Sequence, residues 1–508
     1  MRWVLIRSLN QSPYYDPELQ EPLGLEYLMA SLKEAGNHVL LLDGALTGAN
    51  DDVTARRAMS FMPDVVGFSL TTASQINSLH SIVNKCKELL ANRQILWLAG
   101  GNFITTEPEH AQKLLPDDFT LVRFEGENFV CSIANAGSKP GLINGTLVED
   151  LDKLKFPERP FADLILSQGW AFNIQGSRGC CGACRYCASS GMTGYPNRWR
   201  GRSAENIVSE MVLLYEKHRV HTFNFVDEDF LGPPAHASER ADKFLNEIKK
   251  YRIPFSFGIQ VRPHSIDEPT IVKLVEAGLS YAFMGIESDN PDDYKTWGRQ
   301  SCEDPWKWVT AFRKHGIEMN TGVLMFHPQS TLWGIHSFAT KLKEHGLLDF
   351  HSALNRLNAM PGSPIYKEAL AAGEISLDIC GPQSLPLKIE VQNLYDNLIL
   401  AMAPLGPPSM HALCAMPQLY TKYKVNENFK SVFKNLKEII LFFNHAVENT
   451  FFAMLDISLK GNGNSYPVEV FRKHNLDLAI EGINKLVKHN FAGSFEQLRE
   501  AIKRDADI

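Results

Sequence analysis

The chain has 508 residues, enough at about 100–200 residues per domain for two to four domains with real cores. Hydrophobic residues make up 44% and charged residues 21%, which excludes disorder, collagen and coiled coil as the main class. Lys and Arg number 51 against 58 Asp and Glu, a net charge of −7, so no broad basic field points to nucleic acid or an anionic membrane as partner.

Met1-Arg2-Trp3-Val4-Leu5-Ile6-Arg7 is charged too soon for a signal peptide and reads as a first strand. No apolar run reaches the roughly 18–20 residues that span a bilayer. The expectation is a cytoplasmic protein with no membrane partner. A loop rich in Pro and Tyr follows the strand, including Tyr14-Tyr15-Asp16-Pro17. Leu25, Leu28, Met29 and Leu32 then recur at helical spacing, and Gly36-Asn37 is a stop signal. Val39 to Leu42, Asp64 to Ser69 and Ile95 to Ala99 read as further strands, the last running into Gly100-Gly101. Ile76, Leu79, Ile82, Val83, Cys86 and Leu90 line the helix between the last two. Apolar strands alternating with amphipathic helices predict a doubly wound, Rossmann-like parallel sheet over 1–131. Ligands of such sheets bind beyond the carboxyl ends of the strands, which here carry Ser8, Ser69, Thr71, Thr72, Gly100, Gly101 and Glu125-Gly126-Glu127.

Residues 132–165 read as a linker, with a Gly137-Ser138-Lys139-Pro140-Gly141 turn cluster and Pro157 and Pro160 after it. Residues 166–375 show a second βα series that predicts a partial or complete α/β barrel. Ser203 caps a helix whose face is Ile207, Val208, Met211 and Leu214. Strands end in Asp227-Glu228-Asp229, at Arg262, in Glu287-Ser288 and at His327-Pro328, and strand ends form a barrel's functional face. Trp199, Arg200 and Arg202 read either as an anion site or as an exposed basic helix start, and His327 as a structural loop histidine rather than a catalytic one. Residues 376–508 lose the alternation and read as a helical C-terminal domain that shapes or caps the substrate cavity.

Four of nine cysteines fall within eight residues, in Gly176-Ser177-Arg178-Gly179-Cys180-Cys181-Gly182-Ala183-Cys184-Arg185-Tyr186-Cys187. A disulfide framework would spread them across a small secreted chain. Cys180, Cys184 and Cys187 give C-x3-C-x2-C, three thiolates that hold three irons of a cubane and leave the fourth iron open to a chelating substrate. A ferredoxin-type reading uses Cys181, Cys184 and Cys187 but finds Gly191 where the next cysteine belongs. Structural zinc would need a second Cys/His pair at finger spacing, which His221 and His236 do not supply. A buried structural role fits a Gly- and Arg-rich loop poorly. The first ligand is ambiguous between adjacent Cys180 and Cys181; the x3 spacing selects Cys180. Cys302, Cys380 and Cys414 are too scattered for a second cluster.

This loop, with Tyr186 just before its third cysteine, resembles the radical S-adenosylmethionine (SAM) superfamily. The resemblance implies a [4Fe–4S] cluster on Cys180, Cys184 and Cys187, whose open iron chelates SAM and whose electron cleaves it to a 5′-deoxyadenosyl radical. It also implies SAM contacts at Tyr186, at Glu228 for the amino group, at Arg262 for the carboxylate, and at Glu287 and Ser288 within Gly285-Ile286-Glu287-Ser288. Phe326-His327-Pro328-Gln329-Ser330 stands where relatives carry a Gly-Pro-Gly turn. Ahead of the barrel, Pro22 to Leu28, Pro63 to Ser69, Ala99 to Asn102 and Glu125 to Glu127 resemble the cobalamin-binding domain fused to one radical SAM branch. That likeness implies cobalamin near Ser69, Thr71, Thr72, Gly100, Gly101 and Glu127. Without an Asp-x-His-x-x-Gly motif it would be bound base-off, with no protein histidine on cobalt.

The reading that follows is a cobalamin-dependent radical SAM methyltransferase acting on an unactivated carbon of a natural-product intermediate. Its partners would be a small-molecule substrate and an external one-electron reductant of the flavodoxin or ferredoxin kind. Oxidative cyclisation, rearrangement or transfer of another SAM fragment is the alternative. A redox or cobalamin sensor would not need a barrel with acidic strand ends.

Overall fold

The protein is described from a computed structural model covering residues 1–9, 20–89, 93–136, 139–167, 170–191, 199–300, 302, 304–410, 412–413, 430–461 and 467–488. The Tyr14–Pro17 loop and Cys414 lie outside the described residues. Nowhere among the described residues is a helix long and apolar enough to cross a membrane.

The N-terminal unit is a six-stranded parallel sheet of β1 (Arg2–Arg7), β2 (His38–Asp43), β3 (Val65–Ser69), β4 (Leu96–Gly100), β5 (Phe119–Arg123) and β6 (Gly141–Asn144), in the order β2-β1-β3-β4-β5-β6. Side chains alternate across its pleat. Trp3, Leu5, Val65 and Leu98 face the helix α1 (Leu23–Glu34) through Leu25, Met29 and Leu32. Val4, Ile6, Val66, Phe68 and Trp97 face the helices α2 (Asp51–Ser60) and α3 (Ile76–Leu89) through Ala55, Ala58, Leu79 and Ile82. Both faces are therefore covered, as parallel sheets require. The sixth strand pairs Leu121 with Leu142 and Val122 with Ile143, so the sheet runs past residue 131 into the stretch expected to be linker. Its apolar content is only Leu142-Ile143, too short a run to stand out beside a turn cluster.

The central unit is a five-stranded parallel sheet of β7 (Phe172–Ile174), β10 (Thr222–Phe225), β11 (Ser256–Val261), β12 (Leu279–Glu287) and β13 (Glu318–Val323), in chain order across the sheet. A small antiparallel pair, β8 (Ser177–Arg178) with β9 (Arg200–Gly201), brackets the cysteine loop. An isolated parallel bridge from Phe326 to Arg356 continues the curve beyond β13. Helix α4 (Ala204–His218) buries the expected face, and the Ser203 hydroxyl accepts from the Asn206 N–H at 3.1 Å.

The described C-terminal helices, α5 (Ile389–Met402), α6 (Lys430–Leu459) and α7 (Val468–Lys488), share one continuous core with the barrel. Tyr395 on α5 packs edge-on to Phe326 beyond the end of β13. Lys437 on α6 pairs with Glu318 at the opposite end of that strand, at 2.9 Å. These helices therefore brace the barrel flank from mouth to base rather than simply capping the cavity.

Candidate active site

The cysteine loop is held from both sides. Its backbone at Arg185 donates to the Trp297 carbonyl at 2.8 Å, and the Arg185 guanidinium reaches Glu368. Cys180, Cys184 and Cys187 are half-buried, whereas Cys181 is exposed; the described cysteines form no disulfide. Gly182 sits at the floor of the loop: a Cβ built there would lie 3.4 Å from the Cys180 sulfur, 3.7 Å from the Cys184 sulfur and 3.5 Å from the Arg262 guanidinium. Burial pushes the Cys180 thiol up to about 11 and raises Cys187, so metal loading must release their protons. Among the described residues, the set of three possible ligand atoms lying mutually within 4.8 Å is elsewhere, at Glu107, His110 and Cys380. Three half-buried thiols on one short loop suit a cubane, in which each sulfur holds a different iron.

Two arginines border the loop. Arg262, at the end of β11, pairs with Asp229 through Nε at 2.8 Å. Arg299 was not singled out from the sequence. Its guanidinium donates to the Tyr186 hydroxyl at 2.8 Å, lies 3.7 Å from the Cys184 sulfur, and faces Glu287 at 3.5 Å. The Tyr186 ring stands edge-on to Trp297. Glu287 has φ +67, a left-handed conformation rare for a non-glycine residue. A Cβ at Gly285 would meet the Glu287 carboxylate at 2.5 Å, so this position must be glycine for the carboxylate to turn as it does.

The acidic strand end divides its labour. Glu228 is exposed and accepts from Ser189, two residues past the third cysteine, at 2.6 Å. Asp227 is buried, accepting from the Gly176 N–H at 3.0 Å and bonding the Ser177 hydroxyl, and burial pushes its carboxyl up to about 6. Ser177 also reaches the Asp229 carbonyl at 3.2 Å, so a protonated Asp227 can donate to a serine that donates onward. Because the folded pKa exceeds the unfolded one, stability falls as pH rises from about 4 to about 6, by at most about 3 kcal/mol. An Asp227→Asn variant keeps one acceptor and one donor and does not titrate. Its stability relative to the parent is expected to rise between pH 4 and pH 6 and stay level above. Denaturation midpoints measured at both ends of that range check this; parallel pH profiles would show that Asp227 does not carry the extra proton.

Other expected contacts turn elsewhere. The Ser288 hydroxyl donates to Asp293 at 2.6 Å and accepts from the Asn290 N–H at 3.1 Å, so it is committed within its own turn. His327 is buried between Asp293, 3.4 Å from Nε2, and the edge of Trp297, which fits its structural reading. Trp199, Arg200 and Arg202 form neither an anion site nor an exposed helix start. The Trp199 indole donates to the Asp229 carbonyl at 2.8 Å, Arg200 pairs with Glu125, and buried Arg202 pairs with Glu210 at 2.6 Å.

A cavity of about 410 Å³ opens where the carboxyl edge of the N-terminal sheet meets the barrel. Ser69, Gly100, Gly101 and Glu127 line it from the sheet, and Gln175, Arg178 and Val226 from the barrel. Gly101 has φ +105, and a Cβ there would lie 2.4 Å from the Leu70 carbonyl oxygen, so only glycine lets the chain leave β4 this way. Thr71 and Thr72 are exposed and do not line the cavity; Gln75 accepts from both their N–H groups, at 2.6 and 3.3 Å. Glu127 lines the cavity, but its carboxylate pairs with Arg178 at 2.7 Å. Arg178 also lies 3.5 Å from Glu125 and over the Tyr27 ring. It therefore bolts the sheet edge to the strand two residues ahead of Cys180. The signal for this was present in Glu125-Gly126-Glu127 and Arg178, but nothing local said that they meet.

Residues 174–341 match the radical SAM superfamily, and residues 17–134 match the B12 binding domain. An uncharacterised methyltransferase of Pyrococcus horikoshii is 26% identical over 321 residues, 58% of this chain and 68% of that protein. The anaerobic magnesium-protoporphyrin IX monomethyl ester cyclase of Synechocystis is 29% identical over 236 residues, 41% of this chain but only 45% of the cyclase. The cobalamin-dependent S-adenosylmethionine radical enzyme OxsB, solved with aqua-cobalamin and SAM bound, superposes with a TM-score of 0.69 at 14% identity, covering 100% of this chain and 80% of OxsB. The chain therefore carries a radical SAM domain over 174–341, which contains the cysteine loop, preceded by a B12 binding domain over 17–134.

Proposed function

We propose that this chain is a cobalamin-dependent radical SAM methyltransferase acting on a carbon of a small-molecule, natural-product-type substrate. The observation that carries the reading is the shared cavity, walled by the sheet edge on one side and by the barrel strand leading to Cys180 on the other. When bound, the cluster with SAM would supply a carbon radical at the substrate, and cobalamin the methyl group.

The chain's own residues would do the rest. Cys180, Cys184 and Cys187 hold the cluster, with Arg299 and Tyr186 packed beside Cys184. Glu228 and Arg262 would hold the amino and carboxylate groups of SAM, with Glu287 at the same end of the sheet. Ser69, Gly100 and Gly101, which line the cavity, would hold the corrin. Cobalamin would be held base-off, with no protein histidine on cobalt. Cys181 and Ala183 are exposed, leaving the loop open to an external one-electron donor of the flavodoxin or ferredoxin kind. The Arg178 bolt keeps both walls together and restricts water at the junction.

The methyltransferase relative from Pyrococcus supports methyl transfer. The cyclase relative supports a second reading, radical cyclisation or rearrangement on the same scaffold. Anaerobic turnover with SAM, cobalamin and reductant separates them. A product heavier by one methylene, formed with deoxyadenosine, is expected. A product of unchanged mass, or one lighter by two hydrogens, would favour the second reading. Failure to retain cobalamin would overturn methyl transfer, and failure to form deoxyadenosine would overturn both.

A further inference from the structure

Outside the site described above, three metal-ligating side chains converge. Glu107 and His110 lie one helical turn apart at the start of the helix Pro108–Leu114 of the N-terminal unit, and both are buried. Cys380 comes from a loop some 270 residues later, beyond the barrel. One ligand atom from each lies within 4.8 Å of the other two.

The hydrogen bonds around His110 point to an ion. Its Nε2 faces the Leu377 carbonyl, a pure acceptor, so Nε2 carries a hydrogen and donates. In the neutral ring Nδ1 then holds a lone pair, yet it faces a Glu107 carboxylate oxygen at 2.9 Å. Two lone pairs do not meet at that distance unless a cation lies between them. A proton there makes a His–Glu ion pair; a metal ion in its place would also take up the adjacent Cys380 sulfur. A metal ion accounts for all three side chains, and the Nε2–H bond to a backbone carbonyl is the support that metal-bound histidines characteristically receive.

Leu377 and Ile379 are 55% and 54% exposed, so polar contacts to Glu107 and His110, rather than apolar burial of these two side chains, hold the loop against the helix. Gln383 closes the loop, donating to the Ser376 carbonyl at 2.6 Å and the Ile379 carbonyl at 3.1 Å. The Gly381 N–H donates to the same Glu107 oxygen, Oε2, that faces His110, at 2.9 Å. The site is thus pre-shaped from both sides.

The geometry points to a structural zinc site formed by Glu107, His110 and Cys380, which clasps the loop after the barrel to the B12 binding domain. A mixed oxygen, nitrogen and sulfur set suits Zn²⁺ and argues against Mg²⁺ or Ca²⁺, which take oxygen ligands. One carboxylate and one thiolate neutralise a divalent ion, so the occupied site carries no net buried charge. Water would supply the fourth ligand. On binding, the Cys380 thiol loses its proton to solvent and a Zn–S bond forms, with no change in oxidation state.

The test measures zinc and iron together in protein purified anaerobically, given one equivalent of zinc sulfate and desalted. The expected result is about one zinc per chain, with a zinc-edge X-ray absorption signature of one sulfur and otherwise nitrogen and oxygen neighbours. Cys380→Ala and His110→Ala, each leaving two of three protein ligands, should each lose zinc on desalting without lowering iron. Cys184→Ala should lose iron and keep zinc, which separates this site from zinc misplaced in the cysteine loop. Should the parent retain no zinc, or Cys380→Ala retain it with iron unchanged, the site does not exist. A zinc edge showing several sulfurs would equally overturn it by placing the ion in the loop.

Discussion

Replacing Cys184 with alanine is expected to remove the brown iron–sulfur absorption from anaerobically purified protein and reduce deoxyadenosine formation to background. The loop offers three half-buried thiols, Cys180, Cys184 and Cys187, and one exposed one, Cys181. Cys184 lies at the centre: its sulfur flanks Gly182 opposite Cys180 and stands 3.7 Å from the Arg299 guanidinium. Without it, two ligands remain to hold a cubane that needs three, and Cys181 is turned to solvent. The cavity wall at Ser69, Gly100 and Gly101 belongs to another unit, so the visible spectrum of bound cobalamin should persist in the variant. Cys181→Ala should keep both chromophores, whereas Cys180→Ala should behave like Cys184→Ala. Iron content and visible spectra of the three variants decide the matter. If Cys181→Ala loses the cluster while Cys180→Ala keeps it, the first ligand is Cys181 and the spacing argument is wrong.

Strand ends were legible because the chemistry sits where apolar runs stop. Ser69, Gly100, Asp227, Arg262 and Glu287 each follow a run of buried residues, and the sheets place them along two carboxyl edges. The direction in which each side chain turns was not legible. Ser288 follows the same logic as Glu287 but is captured by Asp293, five residues on. Thr71 and Thr72 lie just past β3, yet Gln75 folds them away from the cavity. Contacts between distant segments left even less trace. Arg178 with Glu127 spans 51 residues, and the Glu107–His110–Cys380 set spans more than 270. No local period or spacing encodes such meetings; they follow from how two sheets dock. Docking is itself governed by buried charge, which composition counts but cannot place.

The strongest case is Arg159, read from the sequence only as part of a linker. Its side chain is 3% exposed and reaches Glu21 at 3.1 Å and Glu26 at 3.3 Å from the N-terminal unit, and Glu210 at 2.9 Å on the first barrel helix. It also donates to the Asn173 carbonyl in β7 at 2.9 Å, and Arg202 pairs with the other oxygen of Glu210. Three carboxylates thus share two guanidiniums, and burial raises the pKa of both Glu21 and Glu26 against the pull of Arg159. Folded pKa values above the unfolded ones mean that the native state binds the extra proton. Stability from this cluster is therefore greatest below the ordinary carboxylate range and declines as pH rises through the folded values. Arg159→Met removes the shared cation and leaves buried carboxylates uncompensated, which is expected to cost about 3–5 kcal/mol. The deficit should widen with pH, because the orphaned carboxylates hold their protons more tightly and are punished more when they lose them. Adding Glu26→Gln should recover part of the loss by removing one of the unpaired charges. Urea unfolding of the parent and both variants at pH 6 and pH 8 measures all three effects. A single variant that is destabilised by less than about 1 kcal/mol, equally at both pH values, would mean that Arg159 is a surface-like pair and not the joint on which the two cofactor walls are set.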